Sequence, residues 1–368
     1  AFAFATWSLI NSSWEQLTAA NHISTNMEVI EAGSAFVNEL QKERGMSVAY
    51  LAGSGDLGAV TSQRKAVDNT SIKFRELLQD AYVPQQTITG VLAALDSIPA
   101  ARNAVNSKGN TKSILSQYTN VVYTVFAMYK EVAAESGLRG GEARILTIGV
   151  LEEAKESAGK LRANLSRVLS VDEGIDSNVL SAIIKLKGGL VANVHSPSLV
   201  LSDSNAKKIA SFESQPHWRK VSDVFQRVLR LSDVGGFGED STQFFGTISQ
   251  VVNDIGGLVN DTVSDVKNFA KVAHDQQQAS LFTLVIVSLL IGVALFCLSW
   301  YVIRAITKPI SGVIDDLGGS ATQVASASGQ LQNSSQELAN GANQSAASIE
   351  ETAASIEQLA AMVKQNAD

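Results

Sequence analysis

Over roughly the first 280 positions, apolar residues recur at the three-to-four residue spacing that places them on one face of a helix. Phe36, Val37, Leu40, Val48 and Leu51 form one such stripe; Ile148, Leu151, Ala154, Ala158 and Leu165 form another. Clusters of turn-forming residues interrupt the pattern at 53–56, 107–110, 137–141, 172–176, 196–197 and 235–238. Glycine, proline, asparagine and aspartate concentrate there because these positions need unusual backbone angles or local side-chain bonds. No stretch carries the period-two alternation of a strand. The pattern predicts an all-α region of seven or eight antiparallel helices in one or two bundles. The last begins near Ser241 and runs on unbroken.

It runs into a different kind of sequence. Residues 281–303, LFTLVIVSLLIGVALFCLSWYVI, carry no charge over 23 positions. At 1.5 Å per residue such a helix is ~35 Å long, enough to cross a hydrocarbon layer of ~30 Å. Trp300 and Tyr301 sit at one end, where an aromatic belt meets lipid headgroups, and Arg304 and Lys308 follow. Positive flanks stay inside, so 304–368 is expected to be cytoplasmic and 11–280 extracytoplasmic. The opening residues 1–10, AFAFATWSLI, read as the outer end of a first membrane helix. A fragment of a signal peptide is the rival reading, but no small-residue cleavage pattern follows.

Composition narrows the classes. Aromatics make up 6% of the chain and prolines number five, a balance that suits long helices. The net charge of -7 and the lack of a basic patch with interleaved aromatics argue against nucleic acid. The single cysteine, Cys297, lies inside the apolar span, and the four histidines are scattered. Neither a disulfide framework nor a metal site follows from them. No phosphate loop, dinucleotide fingerprint or nucleophile elbow occurs. The reading requires no cofactor, no metal and no catalysis.

Two arginines stand out by position. Arg44 lies four residues after Leu40 and seven before Leu51, on the apolar stripe itself; Arg162 lies four after Ala158 and three before Leu165. A guanidinium facing a bundle interior needs a partner, because an unpaired buried charge costs several kcal/mol. That partner is either a carboxylate, with Glu39, Glu43 and Glu156 nearby in sequence, or a small planar anion gripped by the arginine fork.

Three motifs carry a family resemblance. The run from Leu40 to Ser47, LQKERGMS, resembles the L-Q-x-E-R-G-x-S signature of the nitrate- and nitrite-sensing (NIT) domain. Gln63, Arg64 and Asp68 look like that family's Q-R-x-x-x-D. The run from Lys155 to Arg162, KESAGKLR, is similar to its K-E-x-A-G-x-E-R, with Leu161 where the family usually has Glu. The resemblance implies an all-helical double bundle holding nitrate or nitrite through Arg44 and Arg162.

Beyond the span, residues 304–319 look like the first helix of a HAMP relay, with Pro309 in its usual place and no recognisable second helix. A seven-residue repeat then sets in. Ile310, Leu317, Val324, Leu331 and Leu338 lie on one series, Ile314, Ala321, Ile349, Ile356 and Val363 on the other. Sustained heptads without a second core predict a parallel dimeric coiled coil, and its many Ala, Ser and Thr seam positions make the packing easy to shift. Within 320–368, the run from Asn343 to Gln358 resembles the first methylation helix of methyl-accepting chemotaxis proteins. Gln344, Glu351 and Gln358 are seven apart and share one helix face. By that resemblance they are modification sites, Glu351 directly and the two glutamines after deamidation. The resemblance further implies homodimers in larger receptor arrays, a receptor methyltransferase and methylesterase, and readout by a histidine kinase and its coupling protein at a tip beyond Asp368. The expectation is a transmembrane chemoreceptor for a nitrate-like anion. The competing reading is a structural or partner-binding membrane coiled-coil protein with a ligand-free outer bundle, in which Arg44 has no sensory role.

Overall fold

The computed structural model describes residues 2–366, with side chains from residue 6 onward. The described residues form ten helices and no strand: α1 (Phe2–Leu51), α2 (Leu57–Leu78), α3 (Gln85–Asp96), α4 (Ile98–Asn106), α5 (Thr111–Ala134), α6 (Gly141–Val171), α7 (Ser177–Val194), α8 (Asp203–Phe212), α9 (Pro216–Arg230) and α10 (Ser241–Gln365). All six expected turn clusters coincide with breaks between helices. Three further breaks raise the count above the expected seven or eight, and each has a proline behind it. Pro84 caps α3, Pro99 sits in the first turn of α4, and Pro216 opens α9. Proline lacks the N–H that the first turn leaves unpaired anyway, so it starts helices readily. Elsewhere side chains cap the starts: Asp56 accepts from the Ala59 N–H at 2.8 Å, and Asn110 from the Ser113 N–H at 3.0 Å.

The chain divides into two compact units between Val285 and Ile286. In the first, α1 packs on α2 and α5, α5 packs on α3, α4 and α6, and α6 packs on α7. On the other side, α8 and α9 are tied to the first part of α10. Asn205 donates to Asp265 at 2.9 Å, His217 lies 2.6 Å from Asp254, and Lys208 pairs with Asp261. Helix α6 meets both groups, through α5 and through Arg162 to Ser249 on α10. The α6 stripe lies wholly in the core, and the α1 stripe does so over its first three residues, Val48 and Leu51 being half-buried. Phe36, Val37 and Leu40 are fully buried on α1, as are Ile148, Leu151, Ala154, Ala158 and Leu165 on α6.

Two loops of this unit lock together by backbone contact. The Ile175 N–H donates to Ser232 O at 2.6 Å, the Gly236 N–H to Asp172 O at 3.0 Å, and the Phe237 N–H to Asp172 Oδ1 at 2.6 Å. Gly235 holds φ at +76°, and a Cβ there would stand 2.6 Å from Asp172 O. The left-handed backbone alone costs an ordinary residue about 1–2 kcal/mol, and the backbone oxygen has no soft way to retreat. Gly235→Ala is therefore expected to lower the thermal unfolding midpoint by several degrees, read by circular dichroism. An unchanged midpoint would mean that the loop contact is dispensable.

Among the described residues, α10 is the one helix long and apolar enough to cross a membrane. Its most apolar 18-residue window has a mean hydropathy of 2.9, and none of that window is buried. The expected first membrane segment, 1–10, is the start of α1. Ala1 and the side chains of residues 2–5 lie outside the described residues; Trp7, Leu9 and Trp14 beyond them are exposed. In the second unit the helix continues through 304–319 without a turn, Pro309 included, and to Gln365. The heptad residues named above are all exposed there, as are Gln344, Glu351 and Gln358.

Candidate functional site

Consecutive residues of α1, Glu43 and Arg44, point into two different seams, and each organises a polar cluster inside the bundle. Helical geometry turns neighbours by about 100°, so adjacent positions necessarily face different partners.

Glu43, fully buried, faces α2, α4 and α5. Arg102 grips it with two bonds of 2.9 and 2.7 Å, the Tyr118 hydroxyl donates to it at 2.7 Å, and Arg64 Nε lies 3.6 Å away. Arg102 also reaches Asp68 at 2.7 Å, and Arg64 donates to Asn106 Oδ1 at 3.0 Å. Burial, followed by the Glu43 carboxylate, pushes the Tyr118 hydroxyl well above the usual tyrosine pKa. Burial alone would lower the pKa of Arg102, but its bonds to Glu43 and Asp68 outweigh that and raise it. Arg64 and Asp68, which the second motif singles out, thus serve an internal network with two acids and two arginines. Its charges balance.

Arg44 faces α5 and α6 instead. Its guanidinium forms a fork-to-fork pair with Glu156, Nη1 to Oε1 at 2.7 Å and Nη2 to Oε2 at 2.8 Å, and donates to Thr119 Oγ1 at 3.0 Å. Gln41 Nε2 donates to Glu156 Oε2 at 2.8 Å, and Lys160 Nζ stands 3.0 Å from Oε1. The Arg44 and Glu156 side chains are 9% and 1% exposed, so the pair fills the seam. Burial would raise the Glu156 pKa, but the charges of Arg44 and Lys160 prevail and hold it below the ordinary carboxylate value. Of the three acids that the sequence offers Arg44, Glu156 is the partner. Glu43 serves the other seam, and Glu39 binds Lys42 and Gln63.

Arg162 is different. It is half-buried, and none of the described carboxylates pairs with it. Its guanidinium lies over the Phe245 ring at 4.7 Å and donates to Ser249 Oγ at 2.9 Å, both on α10. Burial, and next the charge of nearby Arg44, lower its pKa. Leu161, the departure from the family motif, is fully buried in the apolar core. Arg44 and Lys160 both engage Glu156, and Arg162 stands near Arg44; one turn earlier on α6 the buried Glu152 pairs with Lys155 at 2.7 Å. Sequence reasoning finds the two arginines but not Lys160, Thr119 or Ser249. Lys160 sits inside the third motif, whereas Thr119 and Ser249 arrive from distant helices with no local mark.

Two clefts of this unit lie elsewhere. One, of about 450 Å³, is bordered by Glu28, Lys73 and Lys267; the other, of about 700 Å³, by Asn38, Lys155, Asn253 and Asn260. Neither is lined by Arg44 or Arg162.

In this all-helical unit Arg44 sits between α1, α5 and α6, and Arg162 reaches from α6 to α10. The family model described as nitrate and nitrite sensing matches residues 35–267, more than half of the chain, and the chain belongs to that NIT family. The fold is also that of the solved structure of the NasR transcription antiterminator. The two are 16% identical, with a TM-score of 0.63, over 74% of this chain and 80% of that one. A search of curated proteins gives no match.

Proposed function

We propose that this chain is a transmembrane chemoreceptor whose outer bundle senses nitrate, nitrite or a closely similar planar anion. The sensing part rests on membership of the NIT family and on one observation above all, the half-buried Arg162 with no carboxylate beside a second arginine. A desolvated guanidinium next to a like charge is unfavourable, and an anion between Arg44 and Arg162 would relieve both costs. An arginine fork suits a planar anion with two oxygens, through parallel hydrogen bonds.

Ser249 connects the site to its output. Arg162 holds this hydroxyl on α10, and α10 is the helix that continues into the apolar span. An anion that redirects Arg162 would loosen or shift that hold and bias the position of α10. The weak heptads beyond the span would repack in response, as two-state signalling elements do. In this reading, 11–280 lies outside the bacterial inner membrane and 304–368 inside. The inner part dimerises, carries methylation at Glu351 and, after deamidation, at Gln344 and Gln358, and signals to a separate histidine kinase through its coupling protein.

Incubation of the purified chain with a receptor methyltransferase and S-adenosylmethionine, followed by peptide mass spectrometry, tests the output half. A methyl group at Glu351 is expected, in an amount that changes when nitrate is added. An unmodified 343–358 peptide would contradict the chemoreceptor reading and leave the sensor in place.

A further inference from the structure

We propose that Glu156 is a built-in competitor for the anion: its carboxylate occupies the Arg44 fork, and the ligand binds by displacing it. This rests on the reading of the Arg44–Arg162 seam as the sensor site and adds the residue that sets its threshold. A carboxylate presents two coplanar oxygens to the guanidinium, as nitrate and nitrite do, and Glu156 uses both of them on Arg44 at 2.7 and 2.8 Å. With the side chains of the pair almost wholly buried, a second anion cannot take the same two donors while Glu156 stays. Two anions side by side in a dry seam would also repel strongly.

Release of Glu156 does not strand it. Lys160 Nζ already lies 3.0 Å from one of its oxygens and Gln41 Nε2 donates to the other at 2.8 Å, so both can retain the carboxylate once Arg44 lets go. Lys160 is a quarter exposed and stacks on Tyr123, with Nζ 4.8 Å from the ring centre, which places the displaced carboxylate toward the wetter side of the seam. The exchange leaves Arg44 and Arg162 for the ligand and Lys160 for Glu156. Each anion then has a cation: Arg44 exchanges one anion for another, and Arg162 gains one.

The test is calorimetric titration of sodium nitrate, against a chloride-matched blank, into the whole chain in lipid nanodiscs and into Glu156→Gln and Glu156→Asp variants. Removing the competing charge should tighten nitrate binding roughly tenfold. Glu156→Asp, one methylene shorter, keeps the charge but draws it back from α1, and should tighten binding by less; it also serves if the glutamine variant does not fold. Nitrate binding in Glu156→Gln alone would support the proposal outright. Equal or weaker binding in both variants, with the wild type binding, would overturn the competitor role and leave the sensor site standing. Absence of binding in all three would overturn both.

Discussion

Arg162→Ala is expected to weaken nitrate binding by at least one to two orders of magnitude while leaving the fold nearly as stable as before. The loss follows from the 1.5–3 kcal/mol typical of a hydrogen bond to a charged group, or about ten- to a hundredfold, with the Coulomb attraction of the guanidinium added. The stability half of the prediction is less usual for a half-buried arginine. Arg162 has one hydrogen bond, to Ser249, and one ring contact, to Phe245. Against them stand its burial and the repulsion of Arg44, both of which lower its pKa. The contacts and the penalties are each on the order of 1–2 kcal/mol and oppose one another. Nitrate titration and a thermal melt of the same sample check both halves. A variant that binds normally would remove Arg162 from the site. One that unfolds would make it a structural residue.

Glu43→Ala should do the opposite and cost the fold heavily. Arg102 would lose two bonds, Tyr118 its acceptor and Arg64 its nearest negative charge, all inside the bundle. Removing one side of a buried charge network destabilises by about 3–5 kcal/mol, because the remaining charges stay buried and unpaired. Asp68, exposed at the edge, still holds one arm of Arg102, so the lower half of that range is expected. In a domain of this size that is a drop in melting midpoint on the order of 10 °C. A shift of only a degree or two would mean that water enters the network and takes over the lost contacts. The contrast with Arg162 is the useful result, since the motif residues of one family would then separate into a structural set and a binding set.

That separation is not legible in the sequence. Helical periodicity exposes both core stripes, and it places Arg44 on one of them because a 3.6-residue repeat fixes which positions share a face. It cannot say that Glu43 and Arg44, adjacent on α1, serve different seams. Partner choice depends on which helices pack beside α1, and those contacts join residues as far apart as Arg44 and Glu156. Five of the six turn clusters are readable from glycine, asparagine and aspartate, and the sixth from Ser196-Pro197. The three breaks before α3, α4 and α9 escape that reading because their signal is a proline opening a helix, not a cluster closing one. The 281–303 span is visible because the buried helices of soluble proteins rarely run to that length without a charge. The heptads beyond it predict a partner that a single chain cannot display: every seam residue of that repeat is exposed.

Calorimetric titration of nitrate into the wild-type chain and Arg162→Ala, in nanodiscs at matched ionic strength, tests the central claim most directly. Saturable binding in the wild type and at least tenfold weaker binding in the variant, with equal melting midpoints, is the predicted result. A folded wild-type chain that takes up no nitrate or nitrite, or a variant that binds as tightly as the wild type, would contradict it.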